Sequence, residues 1–318
     1  MRILLTGSSG WLGRFLAPRL GQAGHHVIGL DIVAGEATDV IGSVADRAVV
    51  ERVFADHGIE AVIHAGALHK PDIVRFSPQA FVDVNVSGTL NLLQAAVAAR
   101  QDRFIFTSTT SLMISQAIRE GEGHAAVWLD ETAGPLEPRN IYGVTKLAAE
   151  GLCRIYSREH GLNCAVLRTS RFFPEEDDTE RGFSGENLKA NEFLHRRLTV
   201  EDAADAHLAA LDRAKGFEIF IVSAPPPFAP AEVEALKSDA ASVIARHFPD
   251  VAALYAKRNW RLPHSIGRIY DPAKAERLLG FRARTDFAEV LDALRSGAPL
   301  PFAHDPDYVS PSTRLQHG

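Results

Sequence analysis

The 318-residue chain predicts a doubly wound parallel α/β sheet with a smaller C-terminal lobe, and three observations carry that prediction. Short apolar runs alternate with segments of helical period through the first two-thirds of the chain. The runs are of strand length rather than helix length. The first of them passes through a glycine-rich turn directly into a helical segment, which is how a βαβ series opens.

The elements follow in order. "RILLTG", "HHVIGLD", "EAVIHAG", "RFIFTST" and "NCAVLRTS" read as strands. Between them, residues 11–23, 46–57, 78–100 and 142–160 are long enough for right-handed crossover helices. After Arg168, "RFFPEEDDTERGFSGEN" loses periodicity and reads as a loop or the entry to another lobe. "TVEDAADAHLAALDRA" then predicts a helix with Thr199 as N-cap, and "FEIFIVSA" a further strand. "APPPFAP" breaks regular structure, and "DPAKAERLLG" carries Pro near its start and Gly near its end, the usual asymmetry of a helix.

Composition excludes several classes. With 46% hydrophobic and 23% charged residues the chain is ordinary globular protein, and a net charge of -6 gives no basic footprint for nucleic acid or an anionic membrane. The opening "MRILLTGSSG" is too short an apolar run for a signal peptide, and no later stretch has the length of a membrane span. Cys153 and Cys164 sit in apolar-periodic segments and read as small buried hydrophobes, not as a disulfide framework. A cytoplasmic protein acting on small molecules, without a metal, is expected.

"TGSSGWLG" places Gly7, Gly10 and Gly13 between the first strand and the first helix. Glycine lets a backbone approach a pyrophosphate, and the first amides of the helix, around Trp11 and Leu12, add unpaired donors and the positive end of a dipole. The next strand ends in "IGLD", so Asp31 is placed to accept bonds from ribose hydroxyls and to repel a 2′-phosphate. No Arg or Lys occurs in Ile32 to Gly35 to welcome that phosphate, so the expected dinucleotide is NAD rather than NADP. Further on, "NIYGVTKLAAE" puts Tyr142 and Lys146 on one helical face, an arrangement too common to mean much alone.

With "HAGA" at His64 to Ala67, "NVSGTLNLL" from Asn85, "FTSTTS" from Phe106, "YGVTK" from Tyr142 and "TVEDAADAH" from Thr199, nearly the whole chain resembles an extended short-chain dehydrogenase/reductase of the NAD-dependent epimerase/dehydratase family. The resemblance implies a Rossmann domain over 1–170, rejoined by about 198–224, with 171–197 and 225–318 forming a substrate-binding lobe. It also implies NAD beside Ala65, Gly66 and Ala67, a catalytic set of Thr109, Tyr142 and Lys146, and a homodimer paired through the 78–100 and 142–160 helices. In that chemistry Tyr142 takes the substrate hydroxyl proton as hydride leaves. Lys146 and the oxidised nicotinamide favour its phenolate and Thr109 bonds the same oxygen. His64 reads as a packed core histidine and Asn85 as a brace for a neighbouring strand.

Departures from the family narrow the expected reaction. "TSLMI" follows Thr109 without the acidic pair that sugar-nucleotide dehydratases carry, which argues against elimination. Arg171 stands where many relatives place an Asn against the substrate diphosphate, and the 28 residues from 172 to 199 are few for embracing a nucleotide. Thr109 and Tyr142 are 33 positions apart, longer than usual, with 115–131 as an added loop that could cover the pocket. Thr110, Arg171 and His69, with Lys70 beside it, are the candidate substrate contacts. These features point to an NAD-dependent oxidoreductase that interconverts a secondary alcohol and a ketone on a small sugar or sugar-acid-like molecule. A sugar-nucleotide epimerase that retains its cofactor is the alternative, and a non-catalytic NAD-binding regulator is disfavoured by the intact Thr109, Tyr142 and Lys146.

Overall fold

The structure, a computed structural model, describes residues 1–174, 183, 185–302 and 308–314. Seven parallel strands form the central sheet: β1 (Arg2–Thr6), β2 (His26–Asp31), β3 (Val40–Ile41), β4 (Ala61–His64), β5 (Arg103–Thr109), β7 (Asn163–Thr169) and β8 (Phe217–Val222). Their spatial order is β3-β2-β1-β4-β5-β7-β8, so the direction of winding reverses between β1 and β4. Ligands of open α/β sheets bind in the crevice at that switch point, outside the carboxyl ends of the strands. Register places Leu5 of β1 between Gly29 of β2 and Ile63 of β4. This is the doubly wound Rossmann fold expected from the sequence.

Helices cover both faces. On one side α1 (Trp11–Gln22) and α6 (Val200–Arg213) bury Leu16, Leu20, Ala203 and Leu211 against Ile3, Ile63, Ile105 and Leu167. On the other, α2 (Arg47–His57), α3 (78–98) and α4 (Ile141–His160) bury Val50, Val53, Leu92, Leu93, Ala149 and Cys153 against Leu4, Val62, Phe104 and Val166. Both faces of the strands are therefore apolar, as continuous hydrophobic runs in a parallel sheet require. The ends are set by side chains: Asp46 caps α2, Thr199 caps α6, and Asn140 caps α4 by accepting from the Gly143 amide at 2.9 Å. Cys153 and Cys164 are buried free thiols.

The α3 crossover, read from sequence as one helix, is a composite: an α-turn at Pro78–Phe81, π-helical Val82–Ser87, then α-helical Gly88–Ala98. The wide turn carries Asn85, and π-turns frequently mark functional positions. The segment 115–131 is more than a loop. It contains a short helix, Gln116–Glu120, and strand β6 (Val127–Leu129), which pairs in parallel with β9 (Arg268–Tyr270) in a separate two-stranded sheet. Three-residue strands carry too little pattern to be legible locally, and this pair forms between segments far apart in the chain.

Of the helices that follow, α5 (Gly185–Glu192), α7 (Val233–His247), α8 (Val251–Ala256) and α10 (Phe287–Ser296) contribute to a second core, while α9 (Ala273–Leu279) packs Ala275 and Leu279 on the first. In the second core Phe193, Leu236, Ile244, Tyr255, Ile269, Phe287 and Leu291 pack together. Among the described residues no helix is long and apolar enough to cross a membrane.

Candidate active site

A cleft of about 1050 Å³, its open mouth included, lies across the carboxyl ends of β1, β2, β4 and β5. Its wall is built first by the turn after β1. Gly7 has φ +74°, and a Cβ there would lie 2.7 Å from the amide nitrogen of Gly66, so only glycine lets the two loops approach. A Cβ on Gly13 would lie 2.2 Å from the Gly7 carbonyl oxygen, so Gly13 seats α1 on the turn rather than touching a ligand. Gly10 enters α1 without a side-chain cap, leaving the amides of the first turn to be satisfied from elsewhere. Gly7, Gly10, Trp11 and Leu12 line the cleft; Gly13 does not.

Asp31 closes β2 and lines the same cleft. Its Oδ2 accepts from the Ser9 amide at 2.9 Å and its Oδ1 from the Val33 amide at 3.3 Å. These bonds orient the carboxylate, and with about four acceptor positions it can take ribose hydroxyls as well. After β4 come Ala65, Gly66 and Ala67, all in the wall. Thr6 holds this corner: its Oγ1 accepts from the Gly66 amide at 3.0 Å and bonds His64 Nδ1 at 2.7 Å. His64 also bonds Thr89 at 3.0 Å, and burial keeps its pKa well below the usual histidine value, so it is a neutral core residue. Asn85 clamps the backbone of Leu68, accepting from its N–H and donating to its C=O, both at 2.9 Å, and donates to Thr145 of α4 at 3.1 Å. Both residues brace the site's framework.

The floor is supplied by β5 and α4. Thr109 Oγ1 accepts from the Ser111 amide at 3.1 Å, and the Thr110 hydroxyl donates to the Thr169 carbonyl at 3.3 Å. Tyr142 and Lys146 both line the cleft. Burial pushes the Tyr142 phenol up to about 12; a hydrogen bond with Thr109 opposes the rise, and the Asp72 carboxylate adds to it. Burial likewise brings Lys146 down to about 7, opposed by the charge of Glu150. Its Nζ lies 4.1 Å from the centroid of the Phe106 ring. Protein groups by themselves leave the tyrosine protonated at neutral pH.

Glu150, one turn beyond Lys146, is fixed by a two-pronged pair with Arg168, 3.0 and 2.7 Å, and by the Ser108 hydroxyl at 2.6 Å. Of the candidate substrate contacts, His69 reaches the cleft, stacked on Phe173 with ring centroids 5.0 Å apart. Arg171 does not line it. Its Nε lies 3.7 Å from Glu192, a buried carboxylate shared with Arg196 and Arg197 at 3.1 and 2.7 Å. Burial of Glu192 draws the arginines to it, since an isolated buried charge is costly. Thr109 and Thr110 also stand back from the cleft lining, Thr109 reaching it through Tyr142.

Sequence reading missed several lining residues: Leu30, Ser43 and Val44 on the β2 side, Phe172 and Phe173 after β7, and Tyr308, Ser310 and Pro311 from the C-terminal segment. The phenylalanines directly follow Arg171 and were the one legible signal; the tail has no pattern that announces where it docks. Among the described residues no cluster of His, Cys, Asp or Glu is placed to hold a metal.

The family model for the NAD dependent epimerase/dehydratase family matches residues 3–222. The chain belongs to that family. NAD is accordingly its cofactor, and the glycine turn that any Cβ would obstruct, the helix entrance and the oriented Asp31 fit that dinucleotide. The chain is 29% identical over 228 residues to a UDP-glucose 4-epimerase of Rhizobium meliloti, covering 69% of this chain and 62% of that enzyme. It is 33% identical over 172 residues to an L-arabinose 1-dehydrogenase (NAD(P)(+)) of Haloferax volcanii, covering 52% of this chain and 65% of that one. The matched region thus spans less than two-thirds of each of these relatives. A short-chain dehydrogenase/reductase superfamily protein from Agrobacterium tumefaciens, solved with bound NAD, shares the fold with a TM-score of 0.66 and 23% identity, covering 100% of this chain and 98% of that one.

Proposed function

We propose that the protein is an NAD-dependent oxidoreductase that interconverts a secondary alcohol and a ketone on a small sugar or sugar-acid-like substrate. The observation that carries this reading is that Tyr142 and Lys146 line the cleft and Thr109 bonds the Tyr142 phenol from behind it, with Thr110 and Ser111, not carboxylates, following Thr109. Bound NAD supplies the hydride acceptor. Tyr142 binds the substrate hydroxyl and accepts its proton, while Thr109, already bonded to the phenol, orients the same oxygen. Lys146, near half-protonated at neutral pH, holds the nicotinamide ribose and lends positive charge that favours the phenolate. Elimination would require an acid and a base that the residues after Thr109 do not supply. Arg171, held by Glu192, orders the wall that carries Phe172 and Phe173, and His69 bounds the substrate end.

Similarity to the Rhizobium meliloti enzyme favours a second reading, sugar-nucleotide epimerisation with retained NAD. The test is to incubate the protein with NAD and a panel of sugars, sugar acids and hydroxy acids, following formation of reduced cofactor, and in parallel with uridine and guanosine diphosphate sugars. Net reduction by a small alcohol, lost on the order of 10²-fold or more in Tyr142→Phe with NAD affinity kept, supports the oxidoreductase. Epimerisation of a nucleotide sugar by protein that purifies with tightly held NAD overturns it in favour of the second reading.

A further inference from the structure

Outside the cofactor cleft, four chain segments bring cationic side chains to one place. Tyr270 of β9 is buried against Leu112, Met113 and Leu129, and its hydroxyl accepts from Arg268 Nε at 3.3 Å. Ile118 packs on the same apolar group, which sets its neighbour Arg119 beside it. Arg139 donates Nε to the carbonyl of Ile114, one residue beyond Met113, at 3.1 Å. Lys237 of α7 donates Nζ to the carbonyl of Gly121 at 2.7 Å, and a Cβ on Gly267 would lie 4.0 Å from that ammonium, so Lys237 sits between the neighbours of Arg119 and Arg268.

None of these four cations pairs with a carboxylate among the described residues. Burial lowers the pKa of Arg139, and the nearby positive charges of Arg119 and Arg268 lower it further. The contrast with Arg171, Arg196 and Arg197, which gather around Glu192, is plain. Like charges held together without a counter-ion repel, and guanidinium forks match phosphate and carboxylate oxygens two at a time. So high a local charge suits a dianion better than a single carboxylate. Arg139 is three residues before Tyr142, a span of at most about 11 Å of backbone. A group bound at the cluster and a hydroxyl at Tyr142 can therefore belong to one small molecule.

We propose that Arg119, Arg139, Lys237 and Arg268 form a site for a phosphoryl dianion carried by the substrate whose hydroxyl Tyr142 receives. This rests on the oxidoreductase reading, and the test separates the two. Calorimetry of the NAD-loaded protein with inorganic phosphate requires no turnover. Binding is expected, and it should weaken at least tenfold in Arg139→Ala and in Arg268→Ala, with NAD affinity and melting temperature kept as controls on folding. In turnover, a phosphorylated sugar should surpass its unphosphorylated counterpart at least tenfold in kcat/KM, inorganic phosphate should compete with it, and Arg139→Ala should erase the preference by raising KM. Failure to bind phosphate, equal binding by the variants, or equal use of the two sugars overturns the proposal. Phosphate binding that the variants lose, with no alcohol oxidised, overturns the oxidoreductase reading instead and leaves the anion site standing.

Discussion

The Tyr308 hydroxyl accepts a hydrogen bond from the backbone N–H of Trp11 at 3.0 Å. That amide opens α1, at the point where a helix N-terminus meets a dinucleotide pyrophosphate. The tail is anchored on both sides of the cleft: the Trp11 and Tyr308 rings lie 5.0 Å apart, and Arg75 donates to the Thr313 hydroxyl at 2.6 Å. An anion that takes the Trp11 amide must displace the tyrosine. Tyr308→Phe keeps the ring and removes the acceptor, so NAD should bind more tightly, by roughly the fivefold that one net hydrogen bond is worth. Calorimetric titration checks the sign; weaker binding would show that the hydroxyl serves the bound cofactor.

Asp31 is the residue expected to set cofactor choice. Its carboxylate, oriented by the Ser9 and Val33 amides, should favour NAD over NADP at least several-fold, and Asp31→Ser should narrow the gap. Affinities of both cofactors for both proteins are the measurement. Tighter NADP binding by the parent protein would sink the assignment.

Lys146 makes stability depend on pH. Its folded value of about 7 lies below the ordinary 10.5, so between these pH values the unfolded chain binds a proton that the native protein does not. Stability therefore rises as pH climbs from about 7 towards 10.5, and the deficit is fully present below 7. At about 1.4 kcal/mol per unit the effect amounts to a few kcal/mol. Lys146→Met should flatten that dependence, its advantage over the parent shrinking steadily across the window. Urea unfolding at stepped pH reads this out, and a constant difference between the two proteins from pH 7 to 10 would rule out the depressed lysine.

The neighbouring α3 and α4 leave Val82, Val144 and Ile155 exposed, at 36%, 47% and 42%. Three apolar residues exposed on two adjoining helices fit the homodimer that the family resemblance implies. Val144→Asp combined with Ile155→Asp should yield monomers in sedimentation at micromolar concentration, while a parent protein that sediments as a monomer would end the dimer proposal.

Six of the seven strands of the central sheet, the places of the crossover helices, the glycine turn after β1, and the positions of Asp31, Tyr142 and Lys146 on their elements were legible in the sequence alone; the two-residue β3 was not. Each rests on local physics: apolar period, glycine where no Cβ fits, and a fixed helical offset. Tertiary structure decided the rest. β6 and β9 exist only as each other's partners, and Arg171 turns to Glu192 because burial demands a counter-charge. Burial likewise raises the Tyr142 phenol and holds Lys146 over Phe106, neither of which a spacing of four residues can report. The docking of Tyr308 on Trp11 joins residues 297 positions apart, and the gathering of Arg119, Arg139, Lys237 and Arg268 joins four separate segments. Sequence period describes which face of an element is apolar; the distance between two charged or polar side chains on different elements is set only when those faces pack.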